Sequence, residues 1–346
     1  VRIAQVATLS TPVRRVGSDS VEGLVFALIE ELMQLGHEVT VFAMEGSESS
    51  GELVATLPGR YGRNGAPGDW HVCEWMNMCA AVEQADRFDV IHAHAYLWSL
   101  PLTRLSRAAM VHTTHVMPYG DEAIAWAAVP EATVTAISRH QWSAMPRRPD
   151  DVVHHGIDVA QFPFVAAPDG YLCYLGRFTA GKDPLAAITA ARAIDVPIVL
   201  AGPANEYFES QVRPLVDGRN VVYGGAVFGA ERAHLLGRAR ALLYAPREPE
   251  PFGLVMAEAM MCGTPVAATA VGAVPEVIDA GVTGMIADGP GALADSAAAA
   301  LALDRGVVRA RAEERFTARR MAEQYLAVYR AAVREHARAA GGGCES

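Results

Sequence analysis

The sequence predicts an α/β protein of two domains, each a parallel sheet covered by helices on both faces. Three observations carry this. Short apolar runs of strand length alternate with longer helical stretches along the whole 346-residue chain, the rhythm that strand–helix–strand units impose on a parallel sheet. The chain is too long for one ordinary core and suits two domains of about 150–180 residues. Its composition, 51% apolar and 7% aromatic, is that of a soluble α/β protein able to fill both cores.

Taken in order, residues 2–8 read as the opening strand, 21–35 as an amphipathic helix and 38–43 as the second strand. Residues 58–69, rich in glycine and holding Pro58 and Pro67, read as a loop. Strands follow at 89–93, 109–113 and 133–137. The run Pro146, Arg147, Arg148, Pro149, Asp150, Asp151 breaks the composition, and the hinge is placed there or just after. A second set of strands is expected at 171–175, 198–201, 221–223, 241–244 and 266–269, then an alanine-rich stretch over 291–304 and a long helix over 317–339. The division expected is 1–153 for the first domain, 154–316 for the second, and 317–346 for a closing helix and frayed tail.

The formal charge of −10 argues against nucleic-acid and anionic-membrane partners, which ask for clustered positive charge. No apolar run reaches the roughly 18 residues that span a bilayer. The chain opens into a strand without the pattern of a secretory leader. Cys73, Cys79, Cys173, Cys262 and Cys344 are odd in number with no metal-like spacing. Free thiols in a reducing cytoplasm are expected.

One basic residue stands apart: 28 of the 29 are arginine and the other is Lys182, five positions after Arg177. An ammonium is a compact point charge with three rotatable donors and a guanidinium is a planar fork, so the two are not exchangeable where a crowded polyanion is held. Arg177 and Lys182 together read as a diphosphate clamp; a lone lysine at a surface turn is the plainer alternative. Further on, Glu250 and Glu258 flank a Pro-Phe-Gly-Leu turn and an apolar run that ends at Gly263. Pro251 suits a helix start and Gly263 a C-terminal cap, which puts Glu250 in a loop and Glu258 about two turns down a helix. A glutamate in so apolar a helix is expensive to bury alone. It should face a cleft and meet hydroxyls, or sit in a buried ion pair.

Together these segments resemble the family-four retaining glycosyltransferases of the GT-B fold. The resemblance rests on Gly176-Arg177 with Lys182 and on Glu250 to Glu258 with the strand start at Gly263-Thr264-Pro265-Val266. Shorter strings at Gly36-His37, His92-Ala93-His94, Thr113-Thr114-His115 and His155-Gly156 stand in the family's order. It implies two Rossmann-like domains facing across a cleft, with the C-terminal helix crossing back to the first. It implies a hexose moved from a nucleotide-sugar, UDP most often, to a small-molecule hydroxyl with retention of configuration, and no cofactor or divalent metal. Arg177 and Lys182 would take the diphosphate, Glu250 with Phe252, Gly253 and Leu254 the sugar and phosphate, and Glu258 the ribose. Gly202 and Val227 would lie against the base, and His115 would serve as a sugar contact or proton relay.

The chain departs from the family where a glycine pair is usual: Asp19-Ser20 stands there, with Gly17 two residues earlier and Glu22 at the acid position that follows. Glycines at that place let backbone amides approach phosphate or acceptor closely. Either Asp19 faces the acceptor as a base or the loop is displaced. Asp19, Ser20, His94 and Tyr119 are the acceptor-side candidates, and Trp70, Trp75, Tyr96 and Trp98 could stack on an acceptor or simply be core. A membrane-borne acceptor is disfavoured, and oligomeric state is not legible. Two other classes stay in view: a catalytically silent GT-B binding module, and a dehydrogenase, which lacks its Gly-x-Gly-x-x-Gly turn after the first strand.

Overall fold

The computed structural model describes residues 1–17, 20–118, 120–145 and 149–341. They divide into two compact units, 1–156 with 318–346, and 157–317. In the first unit the order is β1 (Arg2–Val6), α1 (Ser20–Gln34), β2 (Glu38–Met44), β3 (Glu52–Leu57), α2 (Trp70–Glu83), β4 (Val90–Ala93), β5 (Ala109–Thr113), α3 (Asp121–Ala127), β6 (Thr133–Ala136), α4 (Arg139–Ser143) and β7 (Asp151–Val152). These strands form one parallel sheet in the order β3-β2-β1-β4-β5-β6-β7. Its central strands are buried along nearly their whole length, as expected of a parallel sheet covered on both faces.

The second unit runs β8 (Leu172–Leu175), α5 (Pro184–Ala193), β9 (Ile198–Ala201), β10 (Val221–Gly225), α6 (Gly229–Arg238), β11 (Leu242–Tyr244), α7 (Leu254–Met261), β12 (Val266–Thr269), α8 (Val274–Val277), β13 (Gly284–Ala287), α9 (Leu293–Ala300) and α10 (Arg305–Phe316). Its sheet is parallel, in the order β10-β9-β8-β11-β12-β13. The long last helix, α11 (Ala318–Gly341), returns to the first unit, where it packs on α1 and β5 and buries Tyr325 and Tyr329 completely. Among the described residues no helix is long and apolar enough to cross a membrane.

Elements not expected from the sequence include β3, β7, β13 and α2. In α2 the polarity is inverted, with Glu74 and Asn77 buried while Val72, Trp75 and Met76 are exposed, so no apolar stripe announces the helix. The start of α7 also differs. It begins at Leu254 with left-handed Gly253 (φ 85°) as its N-cap, so Pro251 precedes the helix instead of opening it. Glu258 consequently lies about one and a half turns from the cap, not two. Gly263 does end the helix in a left-handed conformation, φ 83°. Of the hinge proposed at 146–151 or just after, residues 146–148 lie outside the described residues and Asp151 opens strand β7; the tail 342–346 also lies outside the described residues.

Helix α10 fastens the second unit by chemistry that the chain's arginine usage supplies. Carbonyls at a helix C-terminus have no partner within the helix and favour a cation. Arg305 donates to the carbonyls of Gly237 (2.6 Å) and Ala239 (2.9 Å) at the end of α6, and to Val165 O (2.7 Å) and Thr264 Oγ1 (2.8 Å). Arg309 bonds the carbonyl of Met261, the last residue of α7, and Arg315 those of Glu276 (2.6 Å) and Val277 (3.0 Å) at the end of α8. One helix thus caps three others. Replacing Arg305 with Met strands several carbonyls, at about 1–3 kcal/mol for each one left buried and unpaired. Hydrogen exchange of the β8 and β11 amides should accelerate at least tenfold, while the β1 and β4 amides keep their protection.

Candidate active site

In an open parallel sheet ligands bind beyond the carboxyl ends of the strands, at the point where strand order reverses. In the second sheet that point is between β8 and β11. The loop after β8 carries Arg177 and Lys182, and the loop after β11 carries Glu248 and Glu250. Sequence-distant groups are thereby brought together: the Lys182 ammonium forms an ion pair with Glu250, both side chains largely buried. Arg177 is exposed, and its guanidinium has no ion-pair partner among the described residues. Burial and the neighbouring Arg177 charge push the Lys182 ammonium down to about 8, with Glu248 acting in the opposite sense.

The cationic loop is held by its backbone. Tyr174 Oη donates to the Arg177 carbonyl (2.8 Å), Asn205 Nδ2 to that of Phe178 (2.9 Å), and the Arg247 N–H to that of Gly181 (2.8 Å). Thr179 caps the short turn that carries Lys182. Asp183, left-handed at φ 42°, caps α5 and pairs with Arg247 Nε at 2.5 Å. The opposing loop is fixed by Gly272 (φ 65°), where a Cβ would lie 2.5 Å from the Glu250 nitrogen, and by Ala273 N–H donating to Glu250 O at 3.1 Å.

Phe252 is buried in the core beneath this loop, whereas Gly253 and Leu254 form the start of α7, whose first turn no side chain caps. Such a terminus presents backbone N–H groups suited to an anion. Gly202 follows β9 and Val227 follows β10, so both stand at the same carboxyl edge. Gly202 admits no side chain, since a Cβ would fall 2.1 Å from Gly176 O. Glu258 meets Arg232 of α6 in an ion pair, Nε to Oε2 at 2.9 Å, and both guanidinium contacts fall on Oε2. Sequence reasoning did not name Arg232; its single signal was that a buried acid needs a partner.

The first sheet reverses between β1 and β4. Gly17 (φ 86°) lies in the β1–α1 connection; Asp19 and Tyr119 lie outside the described residues, as does the side chain of Ser20, which opens α1. His94 and His115 stand just past β4 and β5 in a chain of hydrogen bonds. Gln5 Oε1 meets His94 Nε2 (2.8 Å), His94 Nδ1 meets His115 Nε2 (3.0 Å), and His115 Nδ1 meets His155 Nε2 (3.1 Å). With Gln5 accepting, each ring donates from Nε2, and His94 and His115 accept at Nδ1, so one amide sets the tautomer of three imidazoles. Gln5 Nε2 in turn donates to Tyr329 Oη at 3.0 Å. Burial drives the ring of His115 down to about 4, and those of His94 and His155 well below their usual range with help from neighbouring imidazoles. The rings are therefore neutral at physiological pH. His112 turns aside to Ser99 and Thr103, at 3.0 and 2.9 Å. Among the described residues no group of three or more His, Cys, Asp or Glu is placed to hold a metal.

Two buried carboxylates hold the loop after β1. Glu22 Oε1 accepts from Thr8 Oγ1 (2.8 Å), Ser10 Oγ (2.5 Å) and the Ser10 N–H (3.1 Å); Glu74 Oε1 accepts from the Leu9 N–H (2.8 Å). Burial, with the Glu22 charge adding to it against the Leu9 hydrogen bond, raises the Glu74 carboxyl to about 7.

Comparison with known proteins agrees with this architecture. A model described as Glycosyltransferase Family 4 matches residues 21–161, and one described as Glycosyl transferases group 1 matches 161–317. The fold is that of a GT-B glycosyltransferase. More particularly, the chain belongs to the family-four glycosyltransferases. D-inositol 3-phosphate glycosyltransferase of Mycolicibacterium vanbaalenii is 26% identical over 97% of this chain and 91% of its own. Among solved structures, AviGT4, a glycosyltransferase involved in avilamycin A biosynthesis, aligns with TM-score 0.73 and 26% identity over 96% of this chain and 98% of its own. Sucrose-phosphate synthase from Thermosynechococcus elongatus shares the fold, with TM-score 0.77 and 21% identity over 95% and 98% of the two chains. So does HepE from Anabaena, solved with UDP and glucose, with TM-score 0.70 and 18% identity over 95% and 99%.

The Glu74 carboxyl gives a pH dependence of defined sign. Between 4.5 and about 7 the folded protein holds a proton that the unfolded chain has released. Stability therefore falls as pH rises through that window and levels off above it. Glu74→Gln keeps an acceptor for Leu9 and should remove this component, as much as about 3 kcal/mol. All five tryptophans lie in the first unit, so fluorescence-monitored urea denaturation should show the variant gaining on the wild type from pH 5 to pH 8.

Proposed function

We propose that this glycosyltransferase moves a hexose from a nucleotide-sugar, a UDP-sugar, to a hydroxyl of a small-molecule acceptor with retention of configuration. The observation that carries the reading is the meeting of Lys182 and Glu250, with Arg177 beside them, at the switch point of the second sheet. The likeness to HepE, solved with UDP and glucose, supports the donor. The glycosyltransferases for D-inositol 3-phosphate and in avilamycin A biosynthesis support a small-molecule acceptor.

In this reaction the C1–O bond to the β-phosphate breaks, and its electron pair stays on the phosphate oxygen. The acceptor oxygen bonds to C1 from the same face, and its proton passes to the leaving phosphate. The charge that grows on that phosphate is best met by preorganised donors that need no reorientation. Arg177, Lys182 and the uncapped start of α7 fill this role, and we propose that they do so without a divalent metal. Glu250 serves as acceptor for sugar hydroxyls once the diphosphate takes its place on Lys182. Glu258 offers Oε1 to the ribose hydroxyls while Arg232 holds Oε2. Gly202 and Val227 border the base. His115 is assigned as the imidazole that touches the transferred sugar, and Asp19, Ser20, His94 and Tyr119 remain the acceptor-side candidates. The cytoplasm is the proposed compartment.

The test is release of nucleoside diphosphate from a panel of UDP-, GDP-, ADP- and dTDP-hexoses. Slow hydrolysis of a UDP-sugar without acceptor is the expected result; tight nucleotide binding with no turnover of any donor would make the chain a silent binding module. Lys182→Ala should lower turnover at least a hundredfold, about 3 kcal/mol of transition-state stabilisation, and should lower the melting temperature as well, because Glu250 loses its buried counter-ion. An unchanged kcat removes Lys182 from the mechanism.

A further inference from the structure

Two phenols stand at the carboxyl ends of the strands that flank the switch point of the second sheet. Tyr174, in β8, donates to the Arg177 carbonyl and supports the cationic loop. Tyr244 ends β11, is 4% exposed, and its hydroxyl has no hydrogen-bond partner among the described residues. Buried hydroxyls are nearly always paired, and one left over needs a reason. The surroundings of Tyr244 are those of the anion site. The Lys182 ammonium stands 5.9 Å from the ring centroid. The phenol oxygen lies against Gly253, where a Cβ would come within 3.0 Å of it, so the hydroxyl sits at the N-cap of α7, whose first turn is uncapped. Gly253, left-handed at φ 85°, leaves the oxygen room that a side chain would take.

We propose that Tyr244 is a further ligand of the donor: its O–H donates to a phosphate oxygen held by Lys182 and the N-terminus of α7. The inference rests on the site accepting a nucleoside diphosphate. A phenol suits the task better than another cation, because it adds a donor without adding to the repulsion between Arg177 and Lys182. The ion pair of Lys182 with Glu250 must open to admit the phosphate, and Tyr244 then finds in the ligand the acceptor it lacks in the protein.

The substitution Tyr244→Phe removes only the hydroxyl, and two measurements read it. Isothermal titration with UDP and, independently of any base, with inorganic pyrophosphate should show about tenfold weaker binding of both, the equivalent of one hydrogen bond to a charged acceptor. The melting temperature should hold or rise, since an unpaired buried hydroxyl has been deleted. Equal affinity of variant and wild type for both ligands overturns the proposal. A fall in melting temperature with affinity intact, or failure of the variant to fold, also overturns it by assigning the hydroxyl to the fold. If the wild type itself binds neither ligand, the diphosphate reading fails and this inference with it, an outcome distinct from wild-type binding that the variant retains.

Discussion

Two like charges, Arg177 and Lys182, have to be kept side by side, and much of the second unit is arranged to meet that demand. Their mutual repulsion and the burial of the ammonium both favour loss of its proton. The loop answers with main-chain anchors: Tyr174, Asn205 and Arg247 each hold one of its carbonyls, and Thr179 and Asp183 close the turns on either side of Lys182. None of these anchors consumes the charge they position. Glu250 does, and it belongs to the facing loop, so in this structure the ammonium is neutralised by a carboxylate from a different strand's loop.

The same logic explains why the arginines of the second unit are mostly structural. Arg305, Arg309 and Arg315 go to helix C-termini, Arg247 to Asp183 and Arg232 to Glu258. Each is a planar fork matched to carbonyls or a carboxylate. Arg177 has no such partner among the described residues, a property it shares with Arg219 and Arg240 and one invisible in a list of twenty-eight identical residues. Lys182 was legible because it was unique in type; Arg177 was legible through its spacing from Lys182.

Most of the parallel strands could be read directly, since strands buried on both faces are continuous apolar runs whatever their neighbours do. The misses have separate physical causes. In α2 the residues that face inward are polar, with Asn77 Nδ2 donating to the carbonyls of Ala7 and Phe42 and Glu74 Oε1 accepting from the Leu9 N–H, so period and burial disagree. Strand β3 lies at the sheet edge and is only partly buried, which leaves its pattern weak. The start of α7 was misplaced because a left-handed glycine, and not the proline, sets the chain direction there. Sequence marked Glu258 as an acid needing a partner but could not choose between hydroxyls and a cation; the structure gives it a cation, Arg232, on Oε2.

The histidines of the first unit show the complementary constraint. His94, His115 and His155 are neutral because burial denies them a proton, and their tautomers are tied to one another through Gln5. A neutral imidazole can orient a hydroxyl but contributes no positive charge to a departing phosphate. In the mechanism proposed above, the charge that meets the phosphate comes from Arg177 and Lys182. In that proposal the neutral relay serves positioning and the cationic pair serves charge stabilisation, two tasks kept on different residues.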